Sequence, residues 1–245
     1  MRLTIPCTLF CFPYAGGAAA EFLKWQAYAH DSITIVPVDL AGKGSRKQEP
    51  FCSTMEEAVA DAYTTVTARL DGQPYAIFGH SMGAILAFEL ARRIRQQSAY
   101  PSPDHLFVSG RNPPHVPRRA EAKVVHELDD DAFIEEITQF GGIPEDLLAH
   151  RKLLRLFVPI LRKEYEVSER YVFRPNDTML DCDISVLYGT EDHSLPEIMS
   201  QWQRHTTGRI AMQAYEGGHF FIHEHGEQVV QRMNAQLLGL MAARP

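Results

Sequence analysis

Gly79-His80-Ser81-Met82-Gly83 sets a serine midway between two glycines, directly after the apolar run Tyr75-Ala76-Ile77-Phe78. A serine held on a sharp turn between a strand and a helix is a nucleophile elbow. Side chains two positions before and after that serine would strike neighbouring backbone, so glycine is required at 79 and 83. Ser81 then sits at the positive end of the following helix, which favours the charge that develops in acyl transfer. A serine hydroxyl needs a base, and eleven histidines are available. His219 follows Gly217-Gly218 in a loop after the last expected strand, where the base belongs in this chain order. His223 and His225 are rivals, and the three together make a His-x3-His-x-His spacing that can suggest a metal site. No evident carboxylate or cysteine set completes it, so no metal and no cofactor is expected. His80 points away from Ser81 on such a turn and is expected to pack within the sheet, whereas His193 reads as a loop residue. The acid that orients the base should follow a strand between Ser81 and His219. Asp192, in Gly189-Thr190-Glu191-Asp192, meets that requirement, with Glu191 as the alternative. Asp181 and Asp183 precede the strand and lie at the wrong end of a sheet. Two N–H donors must face the oxyanion. Met82 supplies one, and the turn Phe12-Pro13-Tyr14-Ala15-Gly16-Gly17 supplies the other from Ala15, or else from Tyr14.

These residues must be carried by a scaffold, and the chain alternates short apolar runs with longer amphipathic stretches. Strands are expected at 8–12, 33–38, 75–79, 105–109, 184–189 and 210–215, each apolar through most of its length, as strands covered on both faces should be. Met55, Ala58, Val59, Ala62, Val66 and Leu70 recur at helical spacing, as do Val229, Val230, Met233, Leu237, Leu240 and Met241. Residues 84–94 are apolar nearly all round and predict a helix covered on every side. The alternation stops between about 111 and 177, where Pro113, Pro114 and Pro117 lead into helical patterns at 130–140 and 144–165. The expectation is one α/β domain over 1–245, a mostly parallel sheet flanked by helices, with a helical insertion at about 111–177. That insertion is either a lid over the strand ends or a subdomain that only stabilises the fold.

The chain has 245 residues, 45% of them hydrophobic and 22% charged, enough for one large domain with a full core. Its net charge of −7 argues against nucleic acid as a partner. Four cysteines in this length do not make a disulfide framework, and Cys7 and Cys11 on one strand lie roughly 13 Å apart. There is no run of eighteen apolar residues and no basic segment leading a cleavable apolar one, so a cytoplasmic, reduced protein without membrane contact is expected.

With these pieces assembled, the sequence resembles the type II thioesterases, the stand-alone editing enzymes of nonribosomal peptide and polyketide synthases. It is also similar to the medium-chain acyl-carrier-protein hydrolases of fatty acid synthesis. The blocks that carry the resemblance are Cys11-Phe12-Pro13-Tyr14-Ala15-Gly16-Gly17, Gly79-His80-Ser81-Met82-Gly83, Phe140-Gly141-Gly142-Ile143-Pro144, Leu161-Arg162-Lys163-Glu164-Tyr165, Gly189 to Asp192, and Gly217-Gly218-His219-Phe220-Phe221. They run in family order over nearly the whole chain. One departure is Leu40-Ala41-Gly42-Lys43-Gly44-Ser45-Arg46, where the family has Pro-Gly-Arg; it is expected to alter the path of that loop and leave catalysis alone. The resemblance implies an α/β-hydrolase fold with a helical lid and a monomer. It also implies hydrolysis of acyl groups from the phosphopantetheine thiol of carrier proteins. A carboxylesterase or an acyltransferase would use the same serine chemistry. Carrier proteins are generally acidic, so a basic docking patch is expected from Arg118, Arg119 and Lys123, from Arg151, Lys152 and Arg155, from Arg162 and Lys163, and from Lys43, Arg46 and Lys47. The insertion's apolar residues Phe133, Ile137, Leu154, Phe157, Val158 and Leu161 are expected to divide between lining an acyl chamber and packing on the core.

Overall fold

Six strands form one wholly parallel sheet: β1 (Cys7–Phe12), β2 (Ile33–Pro37), β3 (Tyr75–His80), β4 (His105–Ser109), β5 (Asp183–Gly189) and β6 (Ile210–Tyr215). Their spatial order is β2-β1-β3-β4-β5-β6. The computed structural model describes residues 6–118, 123–139, 141–142, 150–192 and 195–243. Successive side chains of a strand alternate between faces, and here both faces are apolar. Phe10, Phe12, Tyr75 and Ile77 enter one core together with helices α1 (Met55–Thr67) and α2 (Met82–Gln97). Leu9, Cys11, Ala76 and Phe78 enter the other, under the 3-10 segment Ala19–Ala27 and the carboxyl-terminal helix. None of the four cysteines is joined in a disulfide.

The helices end where their sequences say they should. Thr54 caps α1 by accepting the Glu57 N–H at 3.1 Å, and the Glu57 carboxylate accepts the Ser53 N–H at 2.6 Å. Helix α2 buries Met82 to Phe88 without interruption, which explains its unbroken apolar sequence. It closes on Ser98, in the left-handed conformation with φ 51°.

Between β4 and β5 the chain adds α3 (Asp130–Gln139) and α4 (Arg151–Glu169). The expected helix at 130–140 is α3. The expected helix at 144–165 corresponds to α4 in its second half; residues 143–149 lie outside the described residues. Phe133, Ile134, Ile137, Leu154, Val158 and Leu161 pack with Val125 into a core of the insertion's own. Glu169 closes it by accepting the backbone N–H groups of Val125 and His126, both at 3.0 Å, and by meeting the His126 ring at 2.5 Å and Arg118 at 3.1 Å. Burial works to raise the Glu169 pKa, but these four donors outweigh it and hold the carboxyl below its ordinary value. The last helix, α5 (Gly226–Ala243), lays Val229, Val230, Met233, Leu237 and Met241 onto the sheet, in the spacing expected of it.

Candidate active site

The carboxyl ends of parallel strands point to one edge of the sheet, where ligands of open α/β proteins bind. At this edge β3 ends and Ser81 adopts φ 56° and ψ −113°, a conformation rarely used by a residue with a side chain. The turn is enforced by close backbone. A methyl group on Gly79 would lie 2.0 Å from the Gly83 carbonyl oxygen, and one on Gly83 would lie 2.4 Å from the Phe12 oxygen and 2.5 Å from that of Pro13. The Ser81 N–H donates to the Ser109 carbonyl at 2.8 Å, tying the turn to the end of β4. Met82 is the first residue of α2, so its N–H has no acceptor within the helical ladder.

The loops after β5 and β6 meet because glycine allows it. A methyl on Gly189 would lie 2.2 Å from the Gly218 oxygen, and the Thr190 and Glu191 N–H groups donate to Tyr215 and Gly217 at 2.8 and 2.9 Å. This brings Asp192 Oδ2 to 2.8 Å from His219 Nδ1. His219 in turn lies against Gly110, the residue after Ser109; a methyl there would be 3.3 Å from its Cε1. The base candidate and the serine turn are therefore fixed to the same end of β4. Of the two rival histidines, His223 pairs with the Tyr14 hydroxyl at 3.2 Å and His225 with the Glu216 carbonyl at 2.9 Å. Among the described residues no cluster suited to a metal ion is present.

His80 is fully buried and shares a 2.9 Å hydrogen bond with Ser109 Oγ, in the packed role expected of it. Burial, with His219 and His223 nearby, holds its pKa well below that of an exposed imidazole. His193 lies outside the described residues.

Tyr14 to Gly17 make a tight turn, the Gly17 N–H donating to the Tyr14 carbonyl at 2.9 Å with Gly16 at φ 89°. A positive φ at the third residue is the mark of a type II turn and calls for glycine. Ala15 occupies the second position, next to the serine elbow that Phe12 and Pro13 pack against. The Tyr14 side chain is anchored at both ends. Its hydroxyl donates to Glu21 at 3.0 Å, and its ring meets Phe220 at 4.7 Å and His80 at 5.8 Å.

Three contacts, all made by Lys43 and Glu164, escape the sequence. Lys43 was expected to affect only a loop, or to face solvent in a docking patch. Instead it is largely buried and donates to both Glu164 carboxylate oxygens at 2.8 Å and to the Gly17 carbonyl at 2.6 Å. Glu164, from α4, also accepts the Gly16 N–H at 2.7 Å. Burial pushes the Glu164 carboxyl up, while Lys43 and the Gly16 N–H pull it back. No linear motif announces a pair 121 residues apart.

Most of the expected basic patch is likewise engaged internally. Arg118 meets Glu169 at 3.1 Å, Lys123 meets Glu136 at 2.5 Å and Arg155 meets Asp131 at 2.6 Å. Arg162 meets Asp130 at 2.7 Å, Lys163 meets Glu166 at 3.0 Å and Arg46 meets Asp61 at 2.6 Å. Arg119 and the Arg151 side chain lie outside the described residues.

Beside Met82 a narrow apolar cleft of about 20 Å³, room for little more than one water molecule, lies between α1, α2 and α4. Leu40, Phe51, Cys52, Met55, Leu86 and Val167 wall it, and Glu164 is its one charged side chain.

Over residues 7–237 the sequence matches the family model described as a thioesterase domain. The chain belongs to the thioesterase family. Its chemistry is the hydrolysis of thioesters, on the α/β-hydrolase fold. The thioesterase PikA5 of Streptomyces venezuelae is 35% identical over 94% of this chain and 80% of its own length. The gramicidin S biosynthesis protein GrsT of Aneurinibacillus migulanus is 32% identical over 96% and 91%. Among solved structures, ClbQ of the colibactin nonribosomal peptide and polyketide pathway superposes with a TM-score of 0.89 at 37% identity, covering 98% of this chain and 100% of its own. RedJ, the prodiginine-pathway thioesterase of Streptomyces coelicolor, superposes at 0.85 with 34% identity, covering 94% and 85%. This thioesterase therefore falls with the type II enzymes of such pathways, as the sequence blocks imply.

Proposed function

We propose that this thioesterase removes acyl or aminoacyl groups from the phosphopantetheine arm of carrier proteins in nonribosomal peptide or polyketide synthesis, through Ser81, His219 and Asp192. The observation that carries the reading is the Asp192–His219 pair brought to the strained serine turn at one end of the sheet. In the first half-reaction His219 takes the Ser81 proton as Oγ bonds to the thioester carbon. The Ala15 and Met82 N–H groups hold the resulting oxyanion. The C–S bond then breaks, the thiol leaves with the proton from His219, and the acyl group stays on Ser81. Water, deprotonated by His219, attacks the acyl carbon; the bond to Ser81 Oγ breaks as His219 returns the proton to Oγ, and the acid is released. Asp192 keeps the His219 Nδ1 proton inward and stabilises the imidazolium. A thioester is reactive enough for this machinery to act through side chains and backbone alone.

The insertion at about 111–177 serves as the lid. Gly142 lies under the Phe220 ring, where a methyl group would approach to 2.3 Å, and Leu161 presses on Gly16. The acyl chain enters beside Met82, where the apolar walls of the narrow cleft part to admit it. The protein works as a monomer in the cytoplasm, its partners being the carrier proteins of the synthase; among the described residues no helix is long and apolar enough to cross a membrane.

The test is a panel of acyl-loaded carrier proteins, acyl-CoA and oxygen esters, followed by intact mass of the released carrier thiol. Carrier thioesters should be cleaved fastest, and Ser81→Ala should cleave none. Faster turnover of oxygen esters than of any carrier thioester would replace this reading with a carboxylesterase.

A further inference from the structure

Through Glu164, paired with Lys43, helix α4 of the insertion reaches the proposed oxyanion turn with charge. Burying an ion pair removes both partners from water, a cost that their mutual attraction barely recovers. Such a pair is poor evidence for stability and invites another explanation. Each partner also holds the turn itself. Glu164 accepts the Gly16 N–H at 2.7 Å, and Lys43 donates to the Gly17 carbonyl at 2.6 Å. Glu164 thus fixes the Ala15–Gly16 peptide plane and Lys43 the Gly17–Ala18 plane at the end of the turn, on either side of the Gly17 N–H bond to Tyr14; the Ala15 N–H is one of the two proposed oxyanion donors. Leu161, one helical turn before Glu164, fills the space over Gly16, where a methyl group would lie 2.7 Å from its Cδ2. The turn is thus gripped by α4 through one apolar and one ionic contact.

We propose that Lys43 and Glu164 are positioning residues that couple the seating of α4 to the geometry of the oxyanion hole. The proposal rests on the acyl-transfer reading of Ser81 given above. With α4 seated, the Gly16 N–H is held and Ala15 presents its own N–H to the thioester oxygen. With α4 withdrawn, the turn loses the acceptor and the cation that fix it, and the hole is incomplete. Acyl transfer then proceeds efficiently only under a seated lid, which limits attack on Ser81 ligands that leave the lid unseated.

The experiment compares Lys43→Met, Glu164→Gln, the two combined, and the paired conservative exchange Lys43→Arg with Glu164→Asp, which lengthens one partner as it shortens the other. For each, kcat and KM are measured on an acyl-carrier and on the small acyl-cysteamine thioester. The rate of Ser81 phosphonylation by a small fluorophosphonate is measured in parallel, with thermal unfolding as the control for folding. Misplacing one oxyanion donor predicts a kcat loss of about 10- to 100-fold on both thioesters for Lys43→Met and Glu164→Gln. KM should stay within about three-fold, the phosphonylation rate should fall with kcat, and the paired exchange should recover most of the loss. Wild-type kcat in a folded Lys43→Met or Glu164→Gln protein would overturn the proposal. So would a loss confined to KM for the carrier substrate, which would make the pair a docking feature. If wild-type protein cleaves no carrier thioester, the functional reading fails instead, while the phosphonylation series still reports on the turn. Should Glu164→Gln not fold, Lys43→Met and the paired exchange decide the matter.

Discussion

At the scale of single residues, the site is built from close approaches that only glycine permits. Gly79 and Gly83 face each other across the Ser81 turn, and β1 backbone presses on Gly83. Gly79→Ala should therefore cost about 1–3 kcal/mol through overpacking and reduce kcat by more than its stability loss, because relief comes only by moving Ser81. Denaturant midpoints and steady-state rates, measured on the same preparation, check this; wild-type values in both would show that the turn has room to relax. The pairing of Asp192 with His219 was legible because chain order and strand position leave few candidates for each. Lys43 and Glu164 were not legible. A charged residue in a sequence looks the same whether it meets water or a buried partner, and nothing local distinguishes Lys43 from Lys47. The Tyr14 hydroxyl contacts with Glu21 and His223 were not legible either, because both partners lie on other elements.

At the scale of elements, all six strands were readable to within one residue at either end, since runs covered on both faces are continuous and bounded by polar turns. The 3-10 segment Ala19–Ala27 carried no such signal, because its burial of Ala19, Phe22 and Trp25 follows a three-residue step over too short a length. The insertion shows where pattern stops short of role. Phe133 and Phe157 look alike as chamber residues in sequence. Phe133 is fully buried in the insertion's own core, under the Arg162 guanidinium at 4.5 Å, whereas Phe157 is 43% exposed. Phe133→Ala should destabilise α3 and α4 by about 3–5 kcal/mol, seen as faster amide exchange in those helices with the sheet little changed. Phe157→Ala should leave exchange as it is. In the proposed reading the acyl chain is selected at the narrow cleft beside Met82, which Val167 and Glu164 of the insertion help to wall. Cys52→Phe, which adds bulk to its wall, should lower kcat/KM for long acyl chains at least about ten-fold relative to acetyl thioesters. An unchanged chain-length profile in folded Cys52→Phe would move the acyl site elsewhere.

At the scale of the whole molecule, charge is balanced locally more than composition suggests. The clusters of Arg and Lys in the insertion look like a patch when read along the chain, yet Arg118, Lys123, Arg155, Arg162 and Lys163 meet acidic partners on α3 and α4 of the same insertion. Surface pairs such as Arg155 with Asp131 contribute at most about 1 kcal/mol each. Buried histidines shape the response to acid. Burial lowers His105, bonded to Ser185 at 2.9 Å, to a pKa of about 4. It lowers His205 to about 4 as well, with His115 and Arg92 adding to the effect, and His80 falls in the same direction. These groups stay neutral in the fold and bind protons near pH 6.5 once unfolded. Between about pH 6.5 and 4 the unfolded chain thus holds more protons, so stability falls as pH falls, each histidine adding up to about 1.4 kcal/mol per pH unit. Chemical denaturation at a series of pH values measures the slope. Replacing His105 with glutamine should flatten it across that window, and an unchanged slope would mean that His105 is protonated in the fold.

The central claim is that the acyl group passes through Ser81 with His219 as base. The direct measurement is a rapid mix of acyl-carrier with wild-type, Ser81→Ala or His219→Ala protein, acid quench, and mass analysis of the peptide containing residue 81. Wild-type protein should carry the acyl mass on Ser81 transiently as the free carrier thiol appears. Ser81→Ala should carry none and release no thiol, and His219→Ala should lose acylation by at least about 10³-fold. Thiol release at the wild-type rate by folded Ser81→Ala, or an acyl adduct on another residue that turns over with the reaction, would contradict the account.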